Sequence, residues 1–208
     1  SMKQFVGDIV GSFNVSSTNT RVGVVTFSSR PSTVIRMGQH SSTAQLTGRS
    51  GAIASVRYTG GGTKTGAAID FALANHFSVR GGARPANAGI PKVMVVVTDG
   101  KSFDDVNAPS KRAHAQGITV FAIGTGKNYD EQELRQIASR PQVDNSVTPP
   151  AGIHMFGLNG WDLYKILDSL RDGACDATAQ VPDSGVTITP AGPSYRYFRF
   201  QFRPGQKI

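Results

Sequence analysis

Val93-Met94-Val95-Val96-Val97-Thr98-Asp99-Gly100-Lys101-Ser102-Phe103-Asp104-Asp105-Val106 decides how this chain is read. Five apolar residues run without alternation and then break onto Thr98-Asp99-Gly100. An unbroken aliphatic run is the pattern of a strand covered on both faces, as in a parallel α/β sheet. A carboxylate on the loop at the carboxyl end of such a strand lies where open α/β sheets bind their ligands. Taken alone, Asp99 is better read as shaping a turn before Gly100.

Working outward, Tyr58 to Ile69 reads YTGGGTKTGAAI, with three glycines ahead of Thr63 and Thr65 and a helical pattern after them. The glycines permit unusual backbone angles and a close approach to a ligand. The threonines either cap the helix or offer hydroxyl oxygens to a hard cation. On the other side, Gly117 to Gly124 (GITVFAIG) is a second buried-strand run. Asp130-Glu131-Gln132-Glu133 then resembles a capping box before Leu134, Ile137 and Ala138 on one helical face. Ahead of all these, Met2, Phe5, Val6, Ile9, Val10 and Phe13 trace the apolar face of an opening helix. The alternation predicts a three-layer α/β domain. Strands are expected near 21–28, 33–37, 93–98, 118–123 and 153–157, and helices near 2–13, 64–77, 105–115, 130–139 and 160–171.

RVGVVTFSS (Arg21 to Ser29), YTGGGTKTGAAI, VVVTDGKSFDDV, GITVFAIGTG and YDEQELRQIASRP follow one another in the order and spacing of a von Willebrand factor type A domain. The resemblance runs from about Met2 to Arg171, and its wording is nearest the extracellular-matrix branch, such as matrilins and nonfibrillar collagens. It implies a Rossmann-like, mostly parallel central sheet flanked by helices, spanning 1–176, with 177–208 as a C-terminal extension or linker. It also implies a metal-ion-dependent adhesion site (MIDAS), where an Asp, two Ser and a Thr hold a divalent cation, Mg2+ or Mn2+. On that mapping Thr63 is the loop threonine and Asp99 the second aspartate. Lys64 and Lys101 flank the two ligand loops and would steer acidic partners. The implied protein is a secreted matrix module, not an enzyme, whose metal takes a carboxylate from another matrix protein, collagen first among them.

One part of the pattern is missing. The family's Asp-x-Ser-x-Ser motif and the central first strand before it do not occur in this chain. Asp144-Asn145-Ser146-Val147-Thr148 fits a looser spelling but has no buried strand ahead of it. Two oxygen ligands fall short of the six that Mg2+ takes. Cation binding is therefore conditional on an upstream motif. The first-strand slot is expected to be filled by a second polypeptide, a neighbouring domain of the same kind, or another part of the same protein.

Composition bounds the alternatives. The 22 basic and 14 acidic residues give +8 over 208 residues, with a pI near 9.9. Such a surface attracts polyanions of any kind, so metal-independent binding of sulfated glycans or acidic matrix proteins through basic loops is the second reading. The positive charges are scattered along the chain rather than striped, and nothing resembles a nucleic-acid module. No apolar run approaches a membrane span. The four histidines fall in unrelated segments, and the Gly60–Thr65 loop lacks the spacing of a phosphate loop. The single cysteine, Cys175, is a disulfide candidate. In matrix members of the resembled family a cysteine at this place commonly pairs with one before the first strand; a lone thiol is the other possibility. Asn14-Val15-Ser16 is a glycosylation sequon. Tyr195 to Phe202 alternates aromatic and polar residues as a strand does, either docking a partner or packing on its own domain.

Overall fold

A computed structural model describes residues 2–57, 60–140, 143–144, 151–152, 154–158, 166–167 and 170. Along the chain it runs α1 (Met2–Gly11), β1 (Val24–Phe27), β2 (Pro31–Ile35), α2 (Thr43–Leu46), α3 (Thr65–Asn75), β3 (Lys92–Gly100), α4 (Asn107–Ala115), β4 (Ile118–Asn128), α5 (Glu131–Ile137), β5 (Val143–Asp144), β6 (Ala151–Gly152) and β7 (Met155–Leu158). Strand β4 lies between β3 and β7, parallel to both. The expected α/β architecture with a parallel sheet is what forms.

The unbroken apolar runs are explained by cover on both faces. Along β4, Ile118, Val120 and Ala122 join Met94 and Val96 of β3 against α3, α4 and α5, represented by Ile69, Ala113, Leu134 and Ile137. The intervening Phe121 and Ile123 face the other way, onto Phe5 of α1, Phe156 of β7, and Ile166 and Leu170. Phe121 and Ile123 are wholly buried, and each such side chain contributes about 1.5–3 kcal/mol relative to exposure. A third apolar group gathers Val10 and Val15 with Ile35, Leu46 and Ile53. Helix α1 therefore serves two cores at once, with Phe5 and Ile9 on the parallel sheet and Val6 and Val10 on the β1–β2 side.

Strands β1 and β2 form an antiparallel hairpin of their own, pairing Val24 with Ile35 and Phe27 with Pro31. No ladder joins β1 to β3 among the described residues, so β3 is an edge of its sheet. This is the gap expected where the family's first strand is absent. Val95, in the middle of β3, is 37% exposed there.

Several details differ from the sequence expectation for identifiable reasons. Strand β2 starts at Pro31 and stops at Ile35, because a turn follows in which Gln39 N–H bonds the Arg36 carbonyl and Gly38 takes φ 73°. Helix α2 is too short to show a period; Leu46 makes it visible only as a wholly buried plug. The capping box before α5 forms by half. The Asp130 carboxylate accepts from the N–H groups of Gln132 and Glu133, but the Glu133 carboxylate is used elsewhere. The glycines Gly124 and Gly157 are partners across β4 and β7. A Cβ on either would run into the Tyr129 ring, which lies over both. Asp144 sits in a two-residue strand paired antiparallel with Ala151–Gly152, not after a strand of the parallel sheet. The expected helix at 160–171 falls mostly outside the described residues, as do Cys175 and all of 177–208.

Candidate metal centre

Strand β3 ends in an irregularity of its ladder between Thr98 and Gly100, which places Asp99 in the strand's last residues rather than on a loop beyond it. The buried Thr98 hydroxyl donates to the Gly100 carbonyl at 2.9 Å and accepts from the Gly100 N–H at 3.3 Å. The Asp99 side chain is exposed there, with no hydrogen-bond or ion-pair partner among the described residues. Thr63 comes from the glycine loop before α3, and its hydroxyl lies 3.3 Å from where a Cβ of residue 100 would stand. The two ligand loops predicted from sequence therefore meet at the carboxyl end of the sheet. Gly100 has no side chain to push the Thr63 hydroxyl away.

What fixes this meeting was not foreseen. The N-terminus of α3 has Lys64 at its cap position and takes no side-chain cap from either threonine. Instead the Asp104 carboxylate, 38 residues along the chain, accepts the Gly66 N–H at 2.9 Å and the Ala67 N–H at 2.8 Å. The buried Ser102 hydroxyl donates to Asp104 at 2.7 Å and accepts from the Thr65 N–H at 3.1 Å. The Phe103 N–H donates to the Thr63 carbonyl at 2.7 Å, and the Ser102 N–H to Glu133 at 2.8 Å. On the other flank, the Lys64 N–H reaches the Ser28 carbonyl and the Gly62 N–H the Ser29 hydroxyl, both at 3.0 Å. A carboxylate at a helix N-terminus satisfies otherwise orphaned donors and complements the helix dipole. Burial works against the charge on Asp104. The bonds from Ser102, Ala67 and Gly66, with the Lys64 charge, outweigh it and hold the carboxyl below its usual value. Ser102 and Asp104 read in sequence as ordinary turn formers, and no local signal joins them to a helix so far back.

The two lysines behave differently. Lys64 is exposed. Lys101 is tied to Asp130 at 2.9 Å, and that hydrogen bond raises the lysine and lowers the aspartate from their ordinary values. Lys101, expected with Lys64 to steer acidic partners, thus has a partner of its own in Asp130, in an exposed pair. Phe103 is 78% exposed beside Gly62. Asn14 is exposed in the loop after α1, as a glycosylation site requires.

The donor set suits a hard cation in kind, a hydroxyl and a carboxylate, but not in number. Among the described residues no group of three or more His, Cys, Asp or Glu could hold a metal. Thr63 and Asp99 offer two oxygens, fewer than the six that Mg2+ takes.

The family model for the von Willebrand factor type A domain matches residues 1–152. Matrilin-4 of Homo sapiens is 36% identical over 187 residues, which cover 89% of this chain and 27% of that protein. The collagen alpha-1(XXI) chain of Xenopus laevis is 41% identical over 140 residues, covering 67% of this chain and 14% of its own. The chain thus spans about a quarter or less of the length of these relatives. Among solved structures, proximal thread matrix protein 1 from the mussel byssus superposes with a TM-score of 0.71 and 26% identity, over 84% of this chain and 42% of that one. A further structure of that protein, at TM-score 0.70 and 27% identity with the same coverage, is described as having a zinc occupied MIDAS motif.

Proposed function

The chain belongs to the von Willebrand factor type A family, and on that premise we propose that it is the ligand-binding module of an extracellular-matrix protein, engaging protein partners through a divalent cation at the carboxyl end of β3. One observation carries this reading. Around the site Asp104, Asp130 and Glu133 are each hydrogen-bonded within the protein, whereas the Asp99 side chain is exposed beside the Thr63 loop and has no partner among the described residues. A carboxylate held clear of internal partners, on loops fixed by so many bonds, is available to a ligand from outside the domain. The module is an adhesion domain and not an enzyme, as in its matrix relatives, and it works outside the cell.

Asp99 and the Thr63 hydroxyl would supply two oxygens to Mg2+ or Mn2+, and the zinc in the mussel relative's motif supports a divalent ion at this place. The other protein ligands come from an Asp-x-Ser-x-Ser segment in the slot between β1 and β3. Bound there, the cation supplies a Lewis-acidic position that accepts a carboxylate, such as a collagen glutamate. The exposed Lys64 attracts that acidic partner over long range, an effect that salt screens. Lys101, paired with Asp130, adds less.

The test is collagen binding by the full protein, measured by surface plasmon resonance in Mn2+ and again in EDTA. Asp99→Ala abolishes cation-dependent binding without lowering the thermal unfolding midpoint. If EDTA and Asp99→Ala both leave collagen binding intact, the metal reading fails.

A further inference from the structure

The amino end of the sheet carries a second polar feature, which the charge pattern of the chain does not reveal. Arg21, just ahead of β1, donates to the Gly82 carbonyl at 2.9 Å and to the Ser17 carbonyl at 3.4 Å. Arg84 donates to that same Ser17 carbonyl at 3.1 Å. Two guanidinium groups thus converge on one oxygen. Lys92, the first residue of β3, lines the same cleft, together with Met37, Phe77 and the exposed Ile90.

Like charges brought together are ordinarily relieved by a carboxylate. Here none serves: among the described residues every hydrogen bond of the two arginine side chains goes to a backbone carbonyl, and neither they nor Lys92 forms a salt bridge. The partly buried arginines therefore keep their full charge and most of their donors. Burial, together with the Arg21 charge, presses the Arg84 guanidinium below its ordinary value, as expected of an unrelieved pair. The arrangement is also closely packed. The Arg21 stem lies against Gly38, with its Cδ 3.3 Å from where a Cβ would stand, and Gly82 sits so close to the Met37 carbonyl that a Cβ would collide with it. The exposed Arg36 and Arg80 adjoin that contact in the chain.

We propose that this cleft is an anion-binding site for the sulfate groups of a sulfated glycan chain, working without metal. Paired guanidinium forks match the oxygens of a tetrahedral oxyanion and hold it more strongly than an ammonium does. Seven residue steps along β3 separate Lys92 from Asp99, about 23 Å at roughly 3.3 Å per residue. The cleft is therefore distinct from the Thr63–Asp99 site, and both are open to occupation at once.

Calorimetry on the full protein in EDTA tests this, with three probes: a heparin hexasaccharide, its chemically desulfated counterpart, and a poly-glutamate peptide. The sulfated sugar binds and the other two do not. Arg84→Gln and Lys92→Gln each weaken its binding about tenfold, the effect of losing one charge-assisted contact, while Asp99→Ala and Lys64→Ala leave it unchanged. Should Arg84→Gln fail to fold, Lys92→Gln decides alone, because the Lys92 side chain makes no hydrogen bond or salt bridge among the described residues. Unaltered binding by Lys92→Gln, or poly-glutamate binding as tightly as the sulfated sugar, overturns the proposal.

Discussion

The two ends of β3 hold charge in opposite ways. At the carboxyl end acids do the structural work. Asp104 caps α3, Asp130 caps α5 and binds Lys101, and Glu133 anchors the Ser102 loop. At the amino end the bracing is done by carbonyls of Ser17 and Gly82, and the arginines they hold keep their charge. Helix α3 joins the two, beginning under Asp104 and ending at His76 just before the turn that carries Gly82 and Arg84. A charge answered inside the protein supports the fold; one answered only by backbone dipoles remains available to a partner.

This contrast can be broken most forcefully at Gly66. A Cβ there would land on the Asp105 carbonyl oxygen, so Gly66→Ala must drive α3 from the 102–105 loop. We expect a loss of about 3 kcal/mol or more in urea unfolding. Cation-dependent binding should disappear while heparin binding of the remaining folded protein persists. Equal loss of both would mean that the two ends are not independent.

Next in size is Asp104→Asn, which retains the shape but cannot accept both helix N–H groups as a carboxylate does. It should cost about 1–2 kcal/mol at pH 7. Because the folded value of Asp104 is depressed, its contribution is full above the unfolded carboxyl value of about 3.9. It is lost as pH falls through the lower folded value. The gap between wild type and Asp104→Asn in urea titrations should therefore close on strong acidification.

A smaller effect, at the far end of α3, comes from His76. It is 2% exposed; Nε2 bonds the Thr33 hydroxyl at 2.8 Å, and the buried Nδ1 has no partner among the described residues. Burial lowers its pKa, so the unfolded chain takes up a proton first as pH falls below the ordinary histidine value of about 6.5. Stability should decline from pH 7 to pH 5 in wild type and stay flat over that window in His76→Gln. Smallest of all is Lys101→Ala, which removes an exposed pair. Its unfolding midpoint should match wild type, and its collagen association rate should change less than that of Lys64→Ala.

What was legible in the sequence follows the range of the interactions. β3 and β4 announce themselves because burial on both faces demands unbroken apolar runs, and the face of α1 because Phe5, Val6, Ile9 and Val10 repeat at helical spacing. Thr63 and Asp99 are singled out by the wording of two loops. The bonds from Asp104 to Gly66 and Ala67 link segments far apart in the chain, and no periodicity or spacing encodes them. The pairing of Arg21 with Arg84 was hidden for the same reason: charges scattered in sequence are gathered only by the fold.

The free edge of β3 has a consequence for handling the protein. Val93 to Val97 is an uncharged, mostly β-branched stretch with one row of backbone donors and acceptors unclaimed among the described residues. Such a segment is a template for another copy of itself, since edge-to-edge pairing satisfies both rows at once. Whatever occupies that slot therefore also acts as a guard against self-association. A preparation in which the slot is empty should aggregate in proportion to its concentration while its folded core remains intact.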